Sequence, residues 1–128
     1  MTAPPQHRDR RWPRRVYAAG SEPDPRFTFA NERTFLAWIR TGLGFLAAGV
    51  AIAAIAQLAD QLGLGVRLAA AILVLCGLAC GIGAFGRWMG NERAMRLGEP
   101  LPSSPLLLVL SAIVATVAIV ALIIVSFG

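Results

Sequence analysis

The sequence predicts an all-α integral membrane protein: three transmembrane helices in an up-down-up bundle, preceded by a flexible basic N-terminal tail. Three observations predict this class. Of 128 residues, 56% are hydrophobic and 15% charged, with a mean hydropathy of +0.64. Setting the charged residues aside leaves three long apolar runs, more than a soluble core of this size buries. Positive charge gathers at one end, where Arg8, Arg10, Arg11, Arg14 and Arg15 fall within eight residues. Such a composition excludes a secreted disulfide scaffold and a free nucleic-acid-binding domain, and leaves little chain for a soluble catalytic domain.

Twelve Arg and no Lys face seven acids, giving a net charge of +5. Residues 1–23 show neither helical nor strand period and read as the flexible tail, with residues 24–128 as the membrane domain. Beside a membrane, the five clustered arginines suit anionic lipid headgroups at about 1 kcal/mol each, and no nucleic acid is expected as a partner. A purely topological role, holding the N-terminus inside, accounts for them equally.

Thr41 to Ala59 and Leu68 to Gly86 are each 19 residues without a charge. At 1.5 Å per residue each covers about 28 Å, matching a hydrocarbon layer of about 30 Å. Leu106 to Phe127 is uncharged over 22 residues, with Pro102 and Pro105 before it. The spans are expected at about 35–59, 67–89 and 105–127, joined by a turn carrying Gly63 and Gly65 and a loop near residues 91–104. With the tail inside, eleven Arg lie on that side and only Arg67 on the other, so the N-terminus is expected in the cytoplasm and the C-terminus outside. About forty residues precede the first apolar run, too many for a cleaved signal peptide.

Asp24-Pro25 is a plausible helix start, with Asp as cap and Pro in the first turn, and a second start could lie near Thr28 or Asn31. From Asn31 to Arg40 the helix is amphipathic before it becomes wholly apolar. Helical spacing places Arg33, Ala37, Arg40, Gly44, Ala47 and Ala51 on one stripe, nearly opposite Phe35, Ile39, Leu43, Leu46 and Val50. The large residues suit lipid, and the small ones, Gly44 among them, suit a neighbouring helix. Arg33 and Arg40 then either reach the headgroups or line a basic, anion-binding vestibule.

The second span ends in Arg87 and Trp88, and the triplet Asn31-Glu32-Arg33 recurs as Asn91-Glu92-Arg93. Charge pairing between these segments is expected, Glu32 with Arg87 or Arg93, while Arg96 and Glu99 read as a solvated face. Gly77 with Gly81, and Ser111 with Ala115 and Ala118, form small-residue patterns for helix packing. Cys76 and Cys80 share one helix face without an accompanying His, Asp or Glu, and read as packing residues. His7 is the single histidine. No metal site, cofactor or catalytic group is expected, so the chain reads as a non-enzyme.

The stretch from Asp24 to Gly42, DPRFTFANERTFLAWIRTG, resembles the opening of the YidH-like family, the "domain of unknown function 202". The resemblance runs over roughly residues 22–126 and includes Arg87-Trp88, Glu92-Arg93 and the GEPLP run at 98–102. The same domain is similar to the small membrane subunit of the eukaryotic vacuolar transporter chaperone, whose assembled helices form a basic pore associated with polyphosphate. That likeness implies Asn31, Glu32, Arg33, Arg40 and Arg87 as candidates for lining or gating an anion path. The chain lacks that complex's soluble polymerase and regulatory domains, so polyphosphate chemistry would come from a partner protein.

All-Arg usage and abundant Ala suggest a high-GC bacterium, and the three spans then lead to the expectation of an inner-membrane protein. Its expected role is that of a homo-oligomeric accessory or scaffolding subunit whose charged cytoplasmic rim docks lipid or an unidentified protein. The alternative is an anion conduit, for phosphate or polyphosphate-type ions, with an Arg-lined cytoplasmic mouth.

Overall fold

The computed structural model describes residues 8–59 and 63–127. The elements are α1 (Arg14–Tyr17), α2 (Pro25–Leu58), α3 (Leu64–Leu97) and α4 (Leu106–Phe127). The last three are long and apolar enough to cross a membrane. Part of the predicted first turn, residues 60–62, and His7 lie outside the described residues.

Asp24 starts α2 as its cap: the side chain accepts from the Arg26 backbone N–H, and Pro25 occupies the first turn. The helix then runs for 34 residues, as does α3. At 1.5 Å per residue each is about 51 Å long, some 20 Å more than a hydrocarbon layer of about 30 Å. α3 stops at Gly98, whose left-handed φ of 67° lets the Glu99 N–H turn back to the Ala94 carbonyl.

α2 and α3 form an antiparallel hairpin. Asn31 meets Asn91 at one end, Gly42 meets Gly77 and Cys80, and Gly49 meets Ala70 and Val74 further along. A methyl group added at Gly77 would lie 2.8 Å from the Gly42 carbonyl oxygen, and one at Gly49 would lie 2.9 Å from that of Ala70. The two backbones touch, as small residues permit in membrane helices, where lipid supplies no hydrophobic drive for association and packing must. Trp38, Ala56, Ala70, Cys80 and Ala84 complete this seam, and Cys80 is a packing residue as expected.

The seam differs from the expected one. Among the described residues, Gly44 and Gly81 have nothing within 4 Å of an added methyl, and the whole stripe from Arg33 to Ala51 is exposed. The contact face of α2 is Asn31, Trp38, Gly42, Gly49 and Ala56, which lies between the two stripes read from the sequence. Contrasting small with large residues selected a surface, but close backbone approach selected glycines flanked by other residue types.

α4 begins beside α3, where a methyl at Gly83 would come 2.8 Å from Leu106 Cδ1. Beyond Leu110 its described side chains are exposed except for the half-buried Ile113. Ser111 and Ala115 accordingly have no helix against them among the described residues, and Ser111 instead donates to the Leu107 carbonyl. Among the described residues the packed unit is the α2–α3 hairpin, and α4 meets it near Leu106.

Gly77→Ala is expected to force α2 and α3 apart and cost about 1–3 kcal/mol, whereas Gly44→Ala, with open space around it, is expected to be neutral or slightly stabilising. Thermal unfolding followed by far-ultraviolet circular dichroism in detergent distinguishes the two.

Candidate functional site at the polar end of the hairpin

The polar end of the hairpin, opposite the α2–α3 connection, holds the functional candidates. Here α3 carries a buried carboxylate and a buried guanidinium one turn apart: Glu92 is 1% exposed and Arg96 6%. Each is received by a different neighbour.

Glu92 faces α2. Its Oε1 accepts from Thr28 Oγ1 at 2.8 Å and its Oε2 from Asn31 Nδ2 at 3.2 Å. Asn31 Nδ2 also donates to the Trp88 carbonyl at 3.1 Å, and Asn31 Oδ1 accepts from Asn91 Nδ2 at 3.2 Å. The recurring Asn-Glu-Arg triplets thus meet through their asparagines. The expected ion pairs are absent among the described residues: Glu32 is exposed, and Glu92 takes neutral donors rather than an arginine. Neutral donors suffice because several good hydrogen bonds can offset burial of a carboxylate.

Arg96 faces the N-terminal segment, and here the expectation of a flexible tail gives way. Residues 8–23 are folded onto α3. Val16 is fully buried, and Pro13 is buried beside it. Arg96 Nε donates to the Ala19 carbonyl at 2.9 Å, one terminal nitrogen to that of Tyr17 at 3.0 Å, and the other to Glu22 Oε1 at 3.2 Å. Its own carbonyl accepts from the Ser21 N–H at 3.0 Å. Gly20, at φ +52°, makes this possible: a methyl there would sit 1.9 Å from the Arg96 carbonyl oxygen. Arg93 completes the strap by donating to the Arg15 carbonyl at 2.6 Å. Arg96 is therefore the anchor of the segment rather than part of a solvated face. The lone apolar pair Val16-Tyr17 in a basic run was the available signal.

An aromatic ladder runs alongside. Trp12 stacks on Phe85 at 6.1 Å, Phe85 on Trp88 at 5.9 Å, and Trp88 meets Tyr17 at 6.4 Å. The guanidinium of Arg11 lies 4.5 Å from the Tyr17 ring centre, and that of Arg96 lies 5.5 Å away. Burial raises the Tyr17 phenol above its ordinary pKa. Hydrogen bonds from Arg11 and then Arg96 hold Glu22 below the usual carboxylate range, and Arg11 does the same more strongly for Asp9.

The remaining candidates are separated. Arg33 and Arg40 are exposed on the face of α2 turned away from α3. Arg87 lies over the Trp38 ring at 5.4 Å, with its Nε buried and without a hydrogen-bond partner among the described residues. Glu32 borders a shallow cleft with Phe35, Leu36, Phe85 and Trp88. Of the basic cluster, Arg11 bonds Asp9 and Glu22, Arg14 bonds the Asp9 carbonyl at 2.8 Å, and Arg8, Arg10 and Arg15 are exposed. Among the described residues, no three His, Cys, Asp or Glu are placed to hold a metal ion.

Long apolar helices with a folded, charge-rich end define a multi-pass membrane protein. Residues 26–94 match the family model "Domain of unknown function (DUF202)". The "Inner membrane protein YidH" of Escherichia coli (strain K12) is 47% identical over 108 residues, covering 83% of this chain and 91% of its own. An uncharacterized protein of Mycobacterium tuberculosis (strain H37Rv) is 50% identical over 91 residues, covering 69% and 71% respectively. The chain belongs to the DUF202 family. No solved structure matches it.

Arg96→Ala is expected to remove three charge-assisted hydrogen bonds and cost the strap about 3 kcal/mol or more. Limited proteolysis should then cut within residues 8–23 of the variant while sparing the parent and Arg8→Ala. Acid should loosen the same strap. Because the folded-state pKa of Glu22 is lowered, its contribution is complete above about pH 4.3 and is lost as pH falls through the lower folded value. Trp12 fluorescence in nanodiscs should report a reversible change in that window, shifted by Glu22→Gln.

Proposed function

We propose that this protein is a non-enzymatic, oligomeric accessory or scaffolding subunit of the bacterial inner membrane, its folded rim facing the cytoplasm. The observation that carries this reading is the strap. A basic segment bonded to α3 by Arg93 and Arg96 is a rigid surface rather than a loose tether, and it displays Arg8, Arg10 and Arg15. Rigid presentation of charge suits docking, because little side-chain and backbone freedom is then lost on binding. Anionic lipid headgroups or an acidic face of a partner protein fit this surface, and nucleic acid does not enter the reading. Orientation follows from the arginine distribution, with the N-terminus in the cytoplasm and the C-terminus outside.

Homo-oligomerisation is supported by surface left over after the chain has packed. The small-residue stripe of α2 and nearly all of α4 are exposed. A second reading, an anion conduit, is favoured by one particular feature of that stripe. Arg33 and Arg40 stand on it, exposed and in no ion pair among the described residues. In a ring with this stripe toward its axis, the guanidinium groups would meet phosphate or polyphosphate-type anions at the mouth.

Native mass spectrometry from lipid nanodiscs should give a discrete multiple of 13.6 kDa; a monomer at all concentrations would refute the oligomer. Under the conduit reading Arg40→Glu should abolish phosphate flux into proteoliposomes, and unchanged flux removes it. In a background with Cys76 and Cys80 replaced by Ala, Gly63→Cys should react with an impermeant maleimide from outside and Ser103→Cys only from the cytoplasm. The reverse pattern would invert the topology.

A further inference from the structure

We infer that the strap and α3 enclose a binding site for the phosphate of an anionic phospholipid headgroup. Between them lies a cleft of about 280 Å³ lined by Arg15, Val16, Gly86, Met89, Gly90 and Arg93. That is smaller than the roughly 300–1,000 Å³ of drug-sized ligand pockets and suits a headgroup.

Its lining divides by chemistry. Arg15 and Arg93 both line it, and Arg93 donates to the Arg15 carbonyl at 2.6 Å through a single terminal nitrogen. The remaining N–H groups of Arg93 make no hydrogen bond among the described residues, so the forked geometry that favours phosphate is available. Val16 and Met89 supply an apolar wall for glycerol and the start of an acyl chain. Gly86 and Gly90 keep the floor open: a methyl at Gly86 would meet nothing within 4 Å, and one at Gly90 would meet Pro102 Cγ at 3.7 Å.

Among the described residues, no carboxylate lines the cleft. The acids of the strap are engaged elsewhere, Asp9 by Arg11 and Arg14, and Glu22 by Arg11 and Arg96. Depth also fits. Arg87 is the first charge after the uncharged run of α3, so Gly86 to Arg93 occupies the two turns where that helix leaves hydrocarbon for the headgroup layer. The site deepens the lipid-docking part of the proposed function and needs neither an oligomer nor a conduit.

The test is native mass spectrometry of the full chain released from nanodiscs of phosphatidylglycerol, with phosphatidylcholine nanodiscs in parallel, and with inorganic phosphate titrated onto delipidated protein in micelles. One phosphatidylglycerol should be retained per chain, with about tenfold less retention in Arg93→Gln and in Gly86→Leu, which fills the cleft without touching the Arg93–Arg15 bond. Arg67→Gln, at the opposite end of the hairpin from the cleft, should retain the lipid normally. Saturable binding of inorganic phosphate that is lost in the same variants, without lipid retention, would assign the site to a soluble phosphate and overturn the lipid. Equal retention of both lipids, or retention unchanged by both variants, would overturn the site. Because retention is counted per chain, these results stand apart from subunit number and from flux.

Discussion

Helix length against membrane thickness is the constraint from which the rest follows. α2 and α3 each contain 34 residues, about 20 Å more helix than hydrocarbon can cover. The surplus emerges at one end as a pair of helices held in backbone contact by Gly42, Gly49 and Gly77. A seam that tight is lined largely by Gly, Ala and Cys, with Trp38 toward its polar end, and the emerging ends stand where water competes for polar groups. Thr28, Asn31, Asn91 and Glu92 fill that space with hydrogen bonds, so the glycine seam inside the membrane and the polar clamp outside it are two parts of one contact.

The last turns of α3 act as a hub. Glu92 accepts from α2, and one turn later Arg96 donates to the strap. Neither charge neutralises the other by a direct ion pair among the described residues, and each is stabilised mainly by neutral partners. A buried ion pair is often no better than apolar packing. Two buried charges bound to separate neighbours instead fix the relative placement of three segments, because removing either leaves several oriented groups without partners. The aromatic ladder and the two guanidinium groups over Tyr17 add contact area along the same line.

Much of this was legible in the sequence, for reasons specific to particular residues. Apolar runs as long as Thr41 to Ala59, Leu68 to Gly86 and Leu106 to Phe127 have one common physical solution, and Asp24-Pro25 placed the start of α2 correctly. The motif from Asp24 to Gly42 pointed to the family that residues 26–94 match. The seam was not legible, because exposed Gly44 and buried Gly42 are two residues apart and small size alone does not rank them. The docked strap was not legible either. Its partner Arg96 lies 77 residues from Ala19, and no local period announces a contact made by backbone carbonyls. Glu92 meets α2 through Thr28 and Asn31, and Arg93 meets the strap through the Arg15 carbonyl, contacts with neutral groups for which charge counting does not look.

That separation along the chain sets an order of assembly. The strap is synthesised first, yet it has nothing to hold until the final turns of α3 have been made and threaded back to the same side of the membrane. During translation the arginine-rich end therefore stays open and solvated, available to act on helix insertion by its charge alone. The same residues acquire a fixed shape only after the hairpin is complete, so closure of the strap marks a correctly inserted hairpin.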